Sequence, residues 1–265
     1  MTPNIDEVLR LEEVTCVRRD KVVLDRVSLS VRAGDWVAIE GARGSGKSLL
    51  LAVAAAAIAP RRGSVLIGGR NWMDLQASSV PFVRRNIGYL PAEPVLIEHE
   101  TALENVVLPL AVRGVAVDAA LARANLELQR MGLQGLAHEP IAALSPSERR
   151  LVAIARALIG APVVVVLDEP AGGLDRDDRQ RIVEAIGVAR AAGAAVLCGS
   201  ADASFVSLLQ SHGAERLALA GGRLNGGSPR MVVVEGTRND SAPTPIRRED
   251  SEQILDDADI EAVSP

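Results

Sequence analysis

Gly41-Ala42-Arg43-Gly44-Ser45-Gly46-Lys47-Ser48 decides how the rest of the chain is read. It fits the spacing G-x-x-x-x-G-K-[ST], in which glycines let the backbone close tightly. Successive N–H groups and a following helix N-terminus then face a phosphate. Lys47 reaches β/γ-phosphate oxygens and the Ser48 hydroxyl is placed to ligate Mg²⁺. The flanks match. Trp36-Val37-Ala38-Ile39-Glu40 predicts a buried incoming strand, and Leu49 to Ala59, eleven apolar residues in a row, predicts the outgoing helix, too short to cross a membrane.

The choice of cation supports a phosphate site. The chain has two lysines, Lys21 and Lys47, among its 29 basic residues, and the rest are arginine. A sequence that uses arginine almost everywhere keeps lysine where a compact ammonium must sit between phosphates.

A second chemical signal lies downstream. Pro162-Val163-Val164-Val165-Val166-Leu167-Asp168-Glu169-Pro170 is a continuous apolar strand that ends in two carboxylates. Ligands of an open parallel sheet sit at the carboxyl ends of its strands, so both acids are expected near the phosphate loop. Asp168 is suited to hold Mg²⁺ through water, and Glu169 to accept a proton from an attacking water.

Between and around these signals the pattern is that of an α/β chain. Leu9 to Val31 is strand-like with a turn at Arg18-Arg19-Asp20-Lys21, and Ser64 to Ile67 is a short strand before a Gly68-Gly69 turn. Asn86 to Leu90 and Ala194 to Cys198 read as buried strands, and Arg216 to Ala220 with Gly221-Gly222-Arg223 as a terminal hairpin. Thr101 followed by Glu104 is a capping box, Val117 to Met131 has helical spacing, and Ser145-Pro146-Ser147-Glu148 starts another helix. Residues of about 93 to 148 therefore read as a helical insertion.

Composition bounds the alternatives. A chain of 265 residues with 48% hydrophobic content holds one large α/β domain with an insertion, or two small domains. Aromatics are only 2%, so the core is built from Ala, Val, Leu and Ile, and stacking platforms for single-stranded nucleic acid are scarce. Residues 237 to 265 carry eight acids against three arginines, which accounts for the whole formal charge of −5. The neutral remainder disfavours a nucleic-acid partner, and the segment from 226 onward reads as an acidic, disordered tail. Cys16 and Cys198 are far apart, and His99, His138 and His212 are scattered, so neither a disulfide framework nor a zinc site is indicated. The N-terminus lacks a basic segment followed by an apolar one, which leads to the expectation of a cytoplasmic protein that meets a membrane through a partner.

With these motifs in order, residues 9 to about 225 resemble an ABC-type ATPase subunit. Gly41 to Ser48 is similar to the Walker A loop, Leu144 to Arg150 occupies the family signature position, Val163 to Glu169 is similar to Walker B, and Ala171-Gly172-Gly173-Leu174-Asp175 to the D-loop. Ile87-Gly88-Tyr89, Thr101 to Val106 and Leu108-Pro109-Leu110 resemble the branch that serves lipoprotein release, macrolide export and cell division.

The resemblance implies a P-loop core of mainly parallel sheet, an N-terminal antiparallel β subdomain and a helical insertion. It implies ATP and Mg²⁺ as cofactors. The nucleotide would be held by Arg18, Gly41, Ala42, Arg43, Gly44, Ser45, Gly46, Lys47, Ser48, Leu49, Ser145 and Asp168, the metal by Ser48 and Asp168, with Glu169 as the catalytic group. It also implies an integral membrane permease as partner, and a head-to-tail homodimer or heterodimer in which each ATP lies between one subunit's Walker A and the other's signature. A soluble ATP-dependent regulatory or scaffold protein is the alternative reading.

Four positions depart from the family pattern. The switch histidine falls on Ala201, and the Q-loop glutamine on Ala92. The signature is Leu144-Ser145-Pro146-Ser147-Glu148, which improves a helix start but removes a donor and both glycines from a γ-phosphate clamp. The adenine-stacking aromatic is Arg18. Intact binding with slow hydrolysis is the expectation, because each lost transition-state donor typically costs about 2.7–4 kcal/mol.

Overall fold

The computed structural model describes residues 7–226. The acidic segment read as a tail lies outside them, apart from Gly226.

Two sheets organise the chain. One is antiparallel and consists of β1 (Glu7–Arg18), β2 (Lys21–Arg32), β4 (Arg62–Ile67) and β5 (Arg70–Asn71), in the order β2-β1-β4-β5. The other contains β3 (Trp36–Glu40), β6 (Ile87–Leu90), β7 (Val164–Asp168), β8 (Ala195–Ser200), β9 (Glu215–Ala220) and β10 (Arg223–Asn225), in the order β10-β9-β3-β8-β7-β6. Its strands are parallel except β10, which returns antiparallel along β9. A mixed α/β fold with an N-terminal antiparallel sheet and a mainly parallel one is therefore present, as expected.

The apolar runs of β3, β7 and β8 are explained by burial on both faces. Successive side chains alternate between two cores. Val37, Ile39, Val164, Val166 and Leu197 join the core that fills the space against the antiparallel sheet. Trp36, Ala38, Val165, Leu167 and Val196 join the core under the helices. The helices are α1 (Lys47–Ala54), α2 (Val80–Arg84), α3 (Ala102–Val112), α4 (Val117–Arg130), α5 (Pro146–Leu158), α6 (Arg176–Ala191) and α7 (Ala203–Ser211). None is long and apolar enough to cross a membrane, among the described residues.

Both predicted capping boxes form: Thr101 with Glu104 starts α3, and Ser145 with Glu148 starts α5, with Pro146 in the first turn. Close packing of α5 on the sheet explains Gly88, where a Cβ would lie 2.1 Å from the Ala157 carbonyl oxygen.

The structure corrects the sequence reading at three places. The helix after the phosphate loop is shorter than its apolar run: it ends at Ala54, and Ala56 turns left-handed at φ 54° while staying fully buried. The freed carbonyl of Ala56 accepts a hydrogen bond from Arg84 Nε at 2.9 Å, so a tertiary contact offsets what propensity would have supplied. The β1–β2 turn is tighter than four residues, with Arg18 already paired to Lys21 around Arg19 and Asp20 at φ 46° and 60°. Helices α2, α6 and α7 were not marked by the sequence pattern.

Candidate functional site

The phosphate loop leaves the carboxyl end of β3, and α1 follows it. Gly46 has φ 98°, and a Cβ there would sit 3.1 Å from Val23 Cγ1, so only glycine suits this entry to the helix. No side chain caps the N-terminus of α1, which leaves its first-turn amides free to face an anion. Lys47 is buried, and its ammonium donates to the carbonyls of Gly41 at 2.6 Å and Ala42 at 3.2 Å.

Strand β7 delivers the two acids differently because of its pleat. Asp168 shares the face of Val164 and Val166, toward α1, and is 1% exposed. Burial raises its pKa, the Ser48 hydroxyl opposes that rise, and the Glu169 charge adds to it, while Lys47 and Arg150 work against it. Asp168 Oδ1 is buried with no hydrogen-bond partner. A buried carboxylate oxygen without a donor, beside a hydroxyl and near an ammonium, is a donor set suited to a hard divalent cation.

Glu169 lies one residue beyond, where the backbone reverses into the left-handed region at φ 47°. Its carboxylate accepts hydrogen bonds from the Ala201 N–H at 2.8 Å and the Ser200 hydroxyl at 3.1 Å, and lies 3.6 Å from Lys47 Nζ. Ala201 thus supplies a backbone donor, which any residue but proline would supply at that position.

These groups line one cavity of about 790 Å³, with Arg18, Arg43, Lys47, Ser48, Leu49 and Glu169 on its walls. Asp168 is enclosed behind it. Arg18 and Arg43 are exposed and their side chains make no hydrogen bond or ion pair among the described residues, so both guanidinium groups are free to meet a ligand. Across the cavity Arg179 pairs with Asp202 at 2.9 Å. Val23 of β2 and Arg179 of α6 were not expected as lining residues, and no local motif marks them; Ser200 at the end of β8 and Asp202 at the N-cap of α7 flank the switch position Ala201.

Ser145 is not part of this cavity. Its hydroxyl caps α5 by accepting the Glu148 N–H at 3.3 Å and donates to the Glu148 carboxylate at 2.7 Å. The Ser145 N–H also donates to that carboxylate at 2.7 Å, and these two donors, the hydroxyl first and the N–H next, hold Glu148 below the usual carboxylate range. The segment 144–148 is therefore a well-formed helix start whose hydroxyl is already engaged.

A family model described as ABC transporter matches residues 24–172. The lipoprotein-releasing system ATP-binding protein LolD of Chromohalobacter salexigens is 38% identical over 178 residues, 65% of this chain and 75% of that protein. The macrolide export ATP-binding/permease protein MacB of Burkholderia thailandensis is 32% identical over 236 residues, and the match spans 87% of this chain but only 36% of MacB. Among solved structures, the dimeric ATP-binding cassette MJ0796 bound to ADP and Pi superposes with a TM-score of 0.75 at 27% identity, covering 86% of this chain and 100% of that one.

Proposed function

This chain belongs to the ABC transporter family as an ATP-binding subunit, and on that premise we propose that it binds Mg-ATP, closes as a dimer and drives a membrane permease, with slow hydrolysis. The carrying observation is the convergence of Lys47 and Ser48 with Glu169, just past the end of β7, on one cavity, with Asp168 buried beside them and in hydrogen-bond reach of Ser48.

The loop amides and Lys47 would hold the β- and γ-phosphates, and Ser48 and Asp168 would hold Mg²⁺, which supplies charge neutralisation on the phosphate oxygens. For Lys47 to reach the phosphates, its bonds to Gly41 and Ala42 must be exchanged for phosphate oxygens. Glu169, already oriented by Ser200 and Ala201, would accept the proton of the attacking water. No side chain at 92 or 201 reaches that water, since both positions are alanine. Turnover is slow for that reason.

The permease partner is supported by MacB, an ATP-binding/permease protein, and the dimer by the dimeric MJ0796 cassette. Attachment through a permease would place the protein at the cytoplasmic face of the membrane. Purification in detergent, followed by identification of what co-purifies, tests the partner. A multi-span membrane protein is expected, and soluble partners alone would overturn the transporter assignment.

A further inference from the structure

Arg150 closes the segment Leu144 to Arg150 at the family signature position, and the structure gives it an unusual set of partners. It projects from the first turns of α5 and is partly buried. Its Nη1 donates to the Glu169 carbonyl at 3.0 Å, and its Nη2 to the Ala92 carbonyl at 3.2 Å. No carboxylate pairs with it among the described residues. A guanidinium that spends its fork on two backbone carbonyls from separate loops acts as a brace, because its planar geometry fixes both acceptors at once.

What it braces is chemically specific. The backbone of Glu169 sits in the left-handed region at φ 47°, which an ordinary residue with a Cβ disfavours. That backbone is held from several sides: its N–H donates to Gly199 O at 2.9 Å, and its carbonyl accepts from Gly172 N at 3.1 Å as well as from Arg150. The other end of the brace is Ala92, in the loop that follows β6, where the family pattern has a glutamine whose side chain contacts the site directly.

We propose that Arg150 is a positioning residue that couples the loop at Ala92 to the backbone of Glu169, so that movement of that loop resets the acid's alignment although no glutamine reaches the site. This rests on the reading of Glu169 as the group that accepts the proton from water. In this chain the connection from loop to acid runs through a side chain of α5 and two carbonyl oxygens. It is therefore insensitive to the identity of residue 92 and sensitive to that of residue 150.

The test uses the full chain with Arg150→Met, Arg150→Lys, Glu169→Gln and the Arg150→Met/Glu169→Gln pair. Mg-ATP affinity, single-turnover hydrolysis and amide exchange of segments 91–95 and 169–173 are read for each. Arg150→Met is expected to lower the hydrolysis rate about tenfold to a hundredfold with ATP affinity nearly unchanged, the cost of a misplaced reacting group. Exchange in both segments is expected to rise together by about threefold to tenfold, as loss of one or two hydrogen bonds predicts. Exchange in β3 and β8 should stay as in the parent, which controls for folding. Lysine keeps the charge without the fork and should recover only part of the rate. The double variant should be no slower than Glu169→Gln alone.

Unchanged exchange in either segment on Arg150→Met would overturn the brace, as would losses that multiply in the double variant. If Glu169→Gln itself left turnover unaltered, the reading of Glu169 would fail instead, and the exchange comparison would still decide whether Arg150 joins the two loops.

Discussion

The floor of the cavity and its rim have fared differently. On the floor, Lys47, Ser48, Asp168 and the loop glycines form the set of groups proposed to hold phosphate and a cation; Lys47 and Asp168 are buried, while Ser48, Gly44 and Gly46 open onto the cavity. For the rim, the positions where the family would hold the attacking water or clamp the γ-phosphate are Ala201, which lines the cavity, and Ala92 and the proline-containing segment 144–148, which lie outside its walls. On the proposed roles, the contrast assigns ground-state affinity and transition-state stabilisation to separable residues. Binding energy can persist when groups that act mainly in the transition state are gone.

The largest expected effect breaks the rim at its remaining chemical group. Glu169→Gln should reduce single-turnover hydrolysis by roughly 10²–10⁴ while ATP affinity changes little. An equal loss of affinity would move Glu169 to the floor.

Breaking the floor comes next. Lys47→Ala removes charged hydrogen bonds to phosphate and should weaken Mg-ATP binding by about a hundredfold, read by calorimetry. Unaltered affinity would dismiss Gly41 to Ser48 as the nucleotide site.

Restoring the rim sharpens the comparison in the opposite direction. Ala92→Gln with Ala201→His should raise kcat by about tenfold to a hundredfold and shift ATP affinity far less, since each replaced group acts on the transition state. A parent protein that already turns over at the roughly 1–10³ s⁻¹ of ordinary enzymes would contradict the division.

The smallest effect concerns the signature segment as a helix start. Ser145→Ala should cost about 1 kcal/mol, a drop of roughly 2–4 °C in melting temperature. Glu148 is held below the ordinary carboxylate range by the Ser145 hydroxyl first and its N–H second. Its contribution is therefore present above the ordinary glutamate value and disappears as pH falls through the lowered one. Melting temperatures of parent and Ser145→Ala should draw together toward acid pH, and a gap that widened there would reverse the assignment.

Much of this was legible because the relevant signals are local. The phosphate loop, the apolar β7 run with its two acids, and both capping boxes are each encoded within a few consecutive residues. What was not legible depends on distant partners. The end of α1 at Ala54 is decided by Arg84 taking the Ala56 carbonyl, 28 positions along the chain. The orientation of Glu169 is decided by Ser200 and Ala201, 31 and 32 positions away, and its peptide by Arg150. Backbone donors and acceptors leave no signature in side-chain identity, so these contacts were invisible before the fold was known.

The bond from the Ala201 amide to Glu169 bears on how such a site can change over time. Because the acid is anchored by main chain at that point, residue 201 can be exchanged without disturbing the anchor. Loss of a functional side chain there leaves the surrounding geometry standing, in the manner of a socket whose plug has been removed. A lineage carrying this chain would stand within a few codon changes of a faster enzyme, and selection for speed would have no backbone rearrangement to wait for.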